Sequence, residues 1–247
     1  VKACIVLSMV LVALMTAGCV PLPDVGEVLS QISVTGSGNV ITKELDLSGF
    51  DQVEVSGAFV ADVTRGDSFS VVVRVEEKLE AHLRVQVVGS TLEVGWTPNL
   101  SILGTATREV EITMPELTGL EFSGATRGTI SGFDSTADLS VEVSGASRLD
   151  GDIQAGDSRL DVSGASTVEL NGSGEALVLD VSGASTANLS DFAVNDAEVE
   201  ASGASTAKVN ASGRLDAEAS GASHVVYLGN PTLGTIDSSG ASSIEQG

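Results

Sequence analysis

The chain has 247 residues, 42% of them hydrophobic but only 3% aromatic, with 28 glycines and 5 prolines. Twelve basic residues against 34 acidic ones give a net charge of −22, which excludes nucleic acid as a partner, because phosphate binding needs a basic surface. There is enough apolar material for a real core, and Val, Leu, Ile and Ala without large rings suit a narrow interior.

In chain order, residues 1–18 read as a secretory signal. Lys2 opens it, Ile5 to Met15 is an apolar run too short for a transmembrane helix of about 20 residues, and small residues precede Cys19. Gly18-Cys19 resembles the lipobox of bacterial lipoproteins, with Thr16 standing where that pattern prefers Leu. The resemblance implies cleavage before Cys19 and diacylation of its thiol. Cys4 would leave with the signal and Cys19 would carry lipid, so neither a disulfide nor a free thiol is expected in the mature chain. Residues 19–35 have no periodicity and read as a lipid-anchored tether, and residues 36–247 as the folded part. The expected location is the cell envelope, at the outer membrane or cell surface.

Val71–Val75, Leu83–Val88, Leu92–Trp96 and Val110–Met114 alternate as strands, with Gly89-Ser90 a hairpin turn and Glu76–Ala81 a single helical turn. This half has a loose period and is expected to supply irregular first coils or an N-terminal cap. Regular coils are expected from Leu120 onward.

Ser-Gly-Ala organises the rest. It occurs at Ser56, Ser123, Ser144, Ser163, Ser182, Ser202, Ser220 and Ser239, and from Ser123 the intervals are 21, 19, 19, 20, 18 and 19 residues. A period near twenty with a fixed glycine is the signature of a solenoid. Apolar residues stand one and three places before each serine, as in Val141/Val143, Leu160/Val162 and Leu179/Val181, with a polar residue between. Alternation resumes after the triplet, as in Val168/Leu170 and Ala187/Leu189. Period two means strands with one face inside. The predicted fold is all-β: a single-stranded β-solenoid (β-helix) with coils of about 19 residues. Its turns are set by Gly57, Gly124, Gly145, Gly164, Gly183, Gly203, Gly221 and Gly240, since a reversal this sharp needs φ > 0.

Gly36-Ser37-Gly38-Asn39, Leu47-Ser48-Gly49-Phe50, Val55-Ser56-Gly57-Ala58, Val63-Thr64-Arg65-Gly66-Asp67, Met114-Pro115-Glu116-Leu117, the later Val-Ser-Gly repeats and Gly229-Asn230-Pro231 follow in order. This set resembles the head GIN domain family of auto-transporter adhesins over roughly residues 36–247. The resemblance implies a bacterial, exported, β-helical protein related to pectin-lyase-like folds, with a role in adhesion and no established enzymatic activity. The family repeat usually reads Ser-Gly-Ser-Gly-Asp. Here it reads Ser-Gly-Ala-Ser-Thr, which keeps the turn and replaces the acidic part.

An enzyme is not expected. His82 and His224 lie in different halves without a partner motif, and no metal cluster, phosphate loop or nucleophile elbow is present in the sequence. Asp150-Gly151-Asp152 reads as a solvated turn where the repeat runs long. Trp96 and Tyr227 are the candidates for a glycan platform, with edge and core packing as their plainer roles.

Two places before the serine of every triplet stands an acid: Glu54, Glu121, Glu142, Asp161, Asp180, Glu200, Glu218 and Asp237. These side chains point outward, and from Glu121 to Asp237 they should form a ladder of like charge. Its plain role is a solvated face that blocks aggregation. Its alternative use is to hold Ca²⁺ or a basic partner; no other cofactor or metal is expected. The function read from the sequence is a non-catalytic, adhesin-like or scaffold surface for a protein or glycan ligand, held to the membrane by lipid. The alternatives are a polysaccharide-active enzyme of the β-helix class and a structural or envelope-stress lipoprotein without external ligand.

Overall fold

Alternation of inward Val, Leu and Ile with outward polar residues leaves each strand pair able to bury its apolar face only against the next pair. A computed structural model describes residues 32–247, and there this requirement is met by a β-solenoid with two large sheets. The expected signal, the anchor Cys19 and most of the tether lie outside the described residues.

One sheet has ten strands and the other eleven, and from Gln52–Ser56 and Val60–Arg65 onward successive strands in each are parallel. The first sheet runs through Gly119–Ser123, Leu139–Val143, Ser158–Val162, Ala176–Val181, Asp196–Ala201, Arg214–Ala219 and Thr232–Ser238. The second runs through Arg127–Asp134, Arg148–Gln154, Thr167–Ser173, Thr186–Val194, Thr206–Ala211, His224–Leu228 and Ser243–Gln246. Side chains of the two inner faces form one continuous core from Phe50 to Val225. Its columns trade volume along the axis. Val55, Phe122, Val143, Val162, Val181, Ala201 and Ala219 are successive members of one column, and bulky Phe122 lies where Gly128 opposite carries no side chain.

The order of coils in space differs from their order in sequence. Gln52–Ser56 pairs on one side with Gly119–Ser123 and on the other with Thr91–Trp96. Residues 52–65 are therefore a regular coil, inside the stack, and coils do not begin at Leu120. After Arg65 the chain leaves the stack, runs back antiparallel as Ser70–Glu76, crosses the end through the 3-10 helix Glu77–His82 and the hairpin Leu83–Val88/Thr91–Trp96, and returns as Arg108–Met114 against Val60–Arg65. Leu79 of the helix is fully buried, and Leu83, Val85 and Val87 of the hairpin pack against the core. Glu76 is the buried acid of the cap. It accepts the Gly38 N–H at 2.8 Å, and backbone N–H groups, that of Gly38 foremost, hold its carboxyl below the usual range.

Asp150-Gly151-Asp152 corrects the sequence reading. The three residues lie within the strand Arg148–Gln154, not in a turn. Gly151 takes a core position between Ile130 and Leu170, and a Cβ there would press on Ile130. Asp150 pairs with Arg148.

After six of the eight glycine turns, a serine or threonine two places on from the glycine is inside. Thr126, Ser147, Ser166, Ser185, Ser205 and Ser223 are all buried. Burying a hydroxyl costs free energy unless it finds a partner, and among these six only the Ser147 hydroxyl lacks one. Ser205 Oγ donates to Val181 O at 3.0 Å, and Ser223 Oγ to Ala201 O at 3.0 Å and Ser220 O at 2.9 Å. Ser223→Ala should cost about 1 kcal/mol, the net worth of a typical hydrogen bond, measured by denaturant unfolding.

Candidate functional site

The turn glycines and the acidic column are the two repeated features outside the core, and the same register aligns both. All eight turn glycines have positive φ, from 63° at Gly124 to 91° at Gly57. In the later coils each turn is also bonded to the one below: Ala184 N donates to Gly164 O at 2.8 Å, Ala204 N to Gly183 O at 2.8 Å and Ala222 N to Gly203 O at 2.7 Å. The column stops at Trp96. Its indole lies against Gly57, donates Nε1–H to Gly57 O at 2.9 Å, and stacks on Phe59 with centroids 4.9 Å apart. With its ring stacked on Phe59 and its N–H taken, Trp96 is half-buried and plugs the end of the turn stack. Tyr227 packs against the core.

Between two inward residues each acid faces out, one per coil. Pairing is in register at every step: Glu54 to Glu121, Glu121 to Glu142, Glu142 to Asp161, Asp161 to Asp180, Asp180 to Glu200, Glu200 to Glu218 and Glu218 to Asp237. Glu93 adds a further rung beyond Glu54. It escaped the triplet pattern because Trp96 replaces the turn there, although Leu92-Glu93-Val94 repeats the motif of Val53-Glu54-Val55. Neighbouring strands lie about 4.8 Å apart, so the carboxylates stand in single file.

None of the ion pairs among the described residues reaches this ladder. Four of the eight arginines are taken up elsewhere: Arg65 by Asp67, Arg74 by Glu111 at 2.5 Å, Arg148 by Asp150 and Glu169, and Arg214 by Asp216 at 2.5 Å. The electrostatic consequence is clearest at Glu121, whose pKa is raised by partial burial first and then by the fields of Glu54 and Glu142. A shallow groove runs beside the far rungs, lined by Asp180, Glu200, Glu218 and Asp237 with Ser202 and Ser220. Among the described residues no group of three or more His, Cys, Asp or Glu is placed to hold a metal ion.

Asp216 stands two residues before Glu218, in the neighbouring outward column, and has a different task. Arg214 foremost, then the Thr235 N–H, hold its carboxyl far below the usual range, and Thr235 N donates to Asp216 Oδ1 at 2.6 Å. That bond pins the bulge where the last strand slips its register. Asp216→Ala should speed amide exchange in residues 232–238 while leaving the melting temperature of the stack nearly unchanged. A depressed carboxylate stabilises above its ordinary pKa and stops doing so as pH falls through the folded value, so the protection should fade in strong acid.

Neither histidine belongs to a catalytic constellation in a cleft. His82 ends the 3-10 helix, with Nδ1 3.4 Å from Thr97 Oγ1. His224 sits on the open face, with Nδ1 2.6 Å from Ser243 Oγ and Nε2 3.4 Å from Glu245. No helix among the described residues is long and apolar enough to cross a membrane.

The fold has solved counterparts. A "putative adhesin" from Bacteroides fragilis NCTC 9343 superposes with a TM-score of 0.77 at 19% identity, covering 86% of this chain and 99% of the other. A "putative lipid binding protein" from Parabacteroides distasonis ATCC 8503 gives 0.70 at 20% identity, covering 87% and 99%. A "putative adhesin" from Parabacteroides merdae ATCC 43184 gives 0.64 at 16% identity, covering 87% and 99%. At these identities the likeness is one of fold. No curated protein matches the chain. The family described as "Putative auto-transporter adhesin, head GIN domain" matches residues 49–231, the span that holds the first regular coil, the inserted cap and all but the last coil, and this chain belongs to that family.

Proposed function

We propose that this chain is an exported, lipid-anchored envelope protein whose solenoid serves as a non-catalytic binding surface. The observation that carries the reading is the outward column: one carboxylate per coil, in register, with none of the ion pairs among the described residues reaching it. Such a face suits contact along an extended or multivalent ligand better than enclosure of a small one, and its charge keeps neighbouring molecules from stacking sheet on sheet. Membership of the adhesin family supports an exported, surface location. Cys19 would supply the anchor, and the tether would lift the solenoid from the membrane.

Two measurements test this. Cells fed a labelled fatty acid should transfer label to the protein, and Cys19→Ala should abolish the transfer. The absence of label on the wild-type chain rejects the anchor. The purified solenoid, screened against glycans and against envelope and host-surface proteins, should retain a ligand whose binding weakens when Asp180, Glu200 and Glu218 become amides. Retention of nothing by the wild-type protein favours a structural envelope lipoprotein instead.

A further inference from the structure

The segment through which a load on the anchor would reach the fold is held differently from the coils. It enters as Ile32–Thr35, parallel to Leu100–Leu103, turns through residues 36–39 and runs as Val40–Leu45 antiparallel to Ser70–Glu76. It buries little. Ile41, Lys43 and Leu45 stand opposite the buried Val75, Val73 and Val71, yet are themselves only partly buried. In the regular coil 52–65, by contrast, Val53, Val55, Phe59, Ala61 and Val63 are all buried, and both strands are paired on both sides.

Three acids grip this segment where Ser70–Glu76 passes into the helix Glu77–His82. Glu76, only 5% exposed, accepts the Gly38 N–H at 2.8 Å, and the N–H groups of Ser37 and Thr107 also act on its carboxylate. The fit is close: a Cβ on Gly36 would lie 2.5 Å from Glu76 Oε2. Glu77 donates its N–H to Asn39 O at 2.9 Å and accepts from Asn39 Nδ2 at 2.8 Å. Glu80 accepts from Lys43 Nζ at 2.9 Å. The bonds of the Glu77 and Glu80 side chains are exposed and worth little, so the buried carboxylate is the main fastening.

We propose that residues 32–45 are a strap latched by Glu76, which peels away as a unit when the tether is pulled and lengthens it while the coils stay folded. The proposal rests on the reading of Cys19 as the anchor. Tension entering at Ile32 passes the loop 36–39 and then meets the pair Val40/Glu76, the first rung between the strap and Ser70–Glu76. The ladder therefore opens one pair at a time from that end, and the Glu76 carboxylate sits at the rung that goes first. Peeling stops at Phe50, which is buried and packs its ring 4.8 Å from that of Phe69. Beyond it the strands of the first coil are bonded on both sides, so they can leave only by breaking two ladders at once. Weakly buried segments of this kind open below the global unfolding free energy.

Residues 19–247, produced without lipid, have Cys19 as their one thiol, a handle at the point where the anchor would pull. Asn171→Cys supplies the second handle; Asn171 is exposed and its strand is paired on both sides in the middle of the stack. In optical tweezers the first event should lengthen the chain by no more than about 65 Å, the full reach of residues 32–49, before any larger event. In Glu76→Gln the amide has one acceptor oxygen and turns its own N–H groups toward those of the loop. The first event should then fall to lower force, with the later ones unmoved. Without load, amide exchange in residues 40–45 of this variant should quicken roughly tenfold or more, as expected for a lost hydrogen bond to a charged group, with residues 52–65 unchanged. The step and its length are read on the parent chain, so they do not depend on how well the variant folds. A first step longer than that reach overturns the proposal. So does a Glu76→Gln chain that matches its parent in both readings, or one that weakens every event alike. Fatty-acid labelling keeps the two readings apart: a short first step in a chain that takes up no label rejects the anchor alone, and label without the step rejects the strap alone.

Discussion

Gly164→Val should destabilise the solenoid by roughly 3 kcal/mol or more, far beyond an ordinary surface change of about 0.5 kcal/mol. Two costs combine. Gly164 has φ 75°, a conformation that costs an L-residue roughly 1–2 kcal/mol and a β-branched one more. The second cost comes from the stack: a Cβ on Gly164 would lie 2.7 Å from Gly145 O, the carbonyl that accepts the Ala165 N–H. Gly183 repeats the arrangement, its Cβ meeting Gly164 O. Gly49 separates the two costs, because it has φ 80° and a Cβ added there would find nothing within 4 Å. Gly49→Ala should therefore lose only the conformational part, and Gly183→Ala distinctly more. Equal losses at the two sites in urea titrations would show that the turns do not bear on one another.

What could be read in the sequence follows from how locally each feature is encoded. The turn column was legible because one backbone conformation demands one residue type, and the alternation beside Val141/Val143 or Leu160/Val162 states which face is buried. The acidic column followed from the same phase. Glu93 did not, because its coil ends in Trp96 and not in Ser-Gly-Ala, so its membership depends on the pairing of Thr91–Trp96 with Gln52–Ser56. The place of residues 52–65 inside the stack was hidden for a related reason. The contact of Ser56 with Ser123 spans an excursion whose strands alternate like any others, and topology leaves no local mark. Ser166 and Ser185 carry no sequence mark of burial: a small hydroxyl two places after the glycine fits the corner of the core and accepts a main-chain N–H from the neighbouring coil. Gly151 misled outright, its flanking aspartates suggesting a turn while its missing side chain made room for Ile130 and Leu170.

Stability should rise when the protein is taken from neutral to mildly acid pH, pass through a maximum, and then fall. In the folded state the ladder places like charges about 4.8 Å apart, each neighbour pair repelling by roughly 1 kcal/mol in water and less as salt screens it. Glu121 shows the direction: its pKa stands above the ordinary value of 4.5, through burial and then through Glu54 and Glu142. An acid with a raised folded pKa binds its proton more tightly folded than unfolded. Its contribution is fully present below the unfolded pKa and is lost as pH rises through the folded one, so the gain lies between neutrality and about pH 4.5. Glu76, Glu111 and Asp216 work the other way. Gly38, Arg74 and Arg214 are the leading causes of their depressed values, and what they contribute disappears as pH falls below the ordinary carboxylate range. Glu121→Gln should raise the melting temperature at pH 7, and that advantage should vanish near pH 4. A variant no more stable than the parent at pH 7 would mean that the rungs splay far enough apart for water to screen them. Millimolar Ca²⁺ at fixed ionic strength then separates two uses of the face. If the ladder is a passive solvated surface, Ca²⁺ should shift the melt no more than matched Na⁺. A larger shift that Glu121→Gln or Asp180→Asn diminishes would mark it as a cation-binding edge.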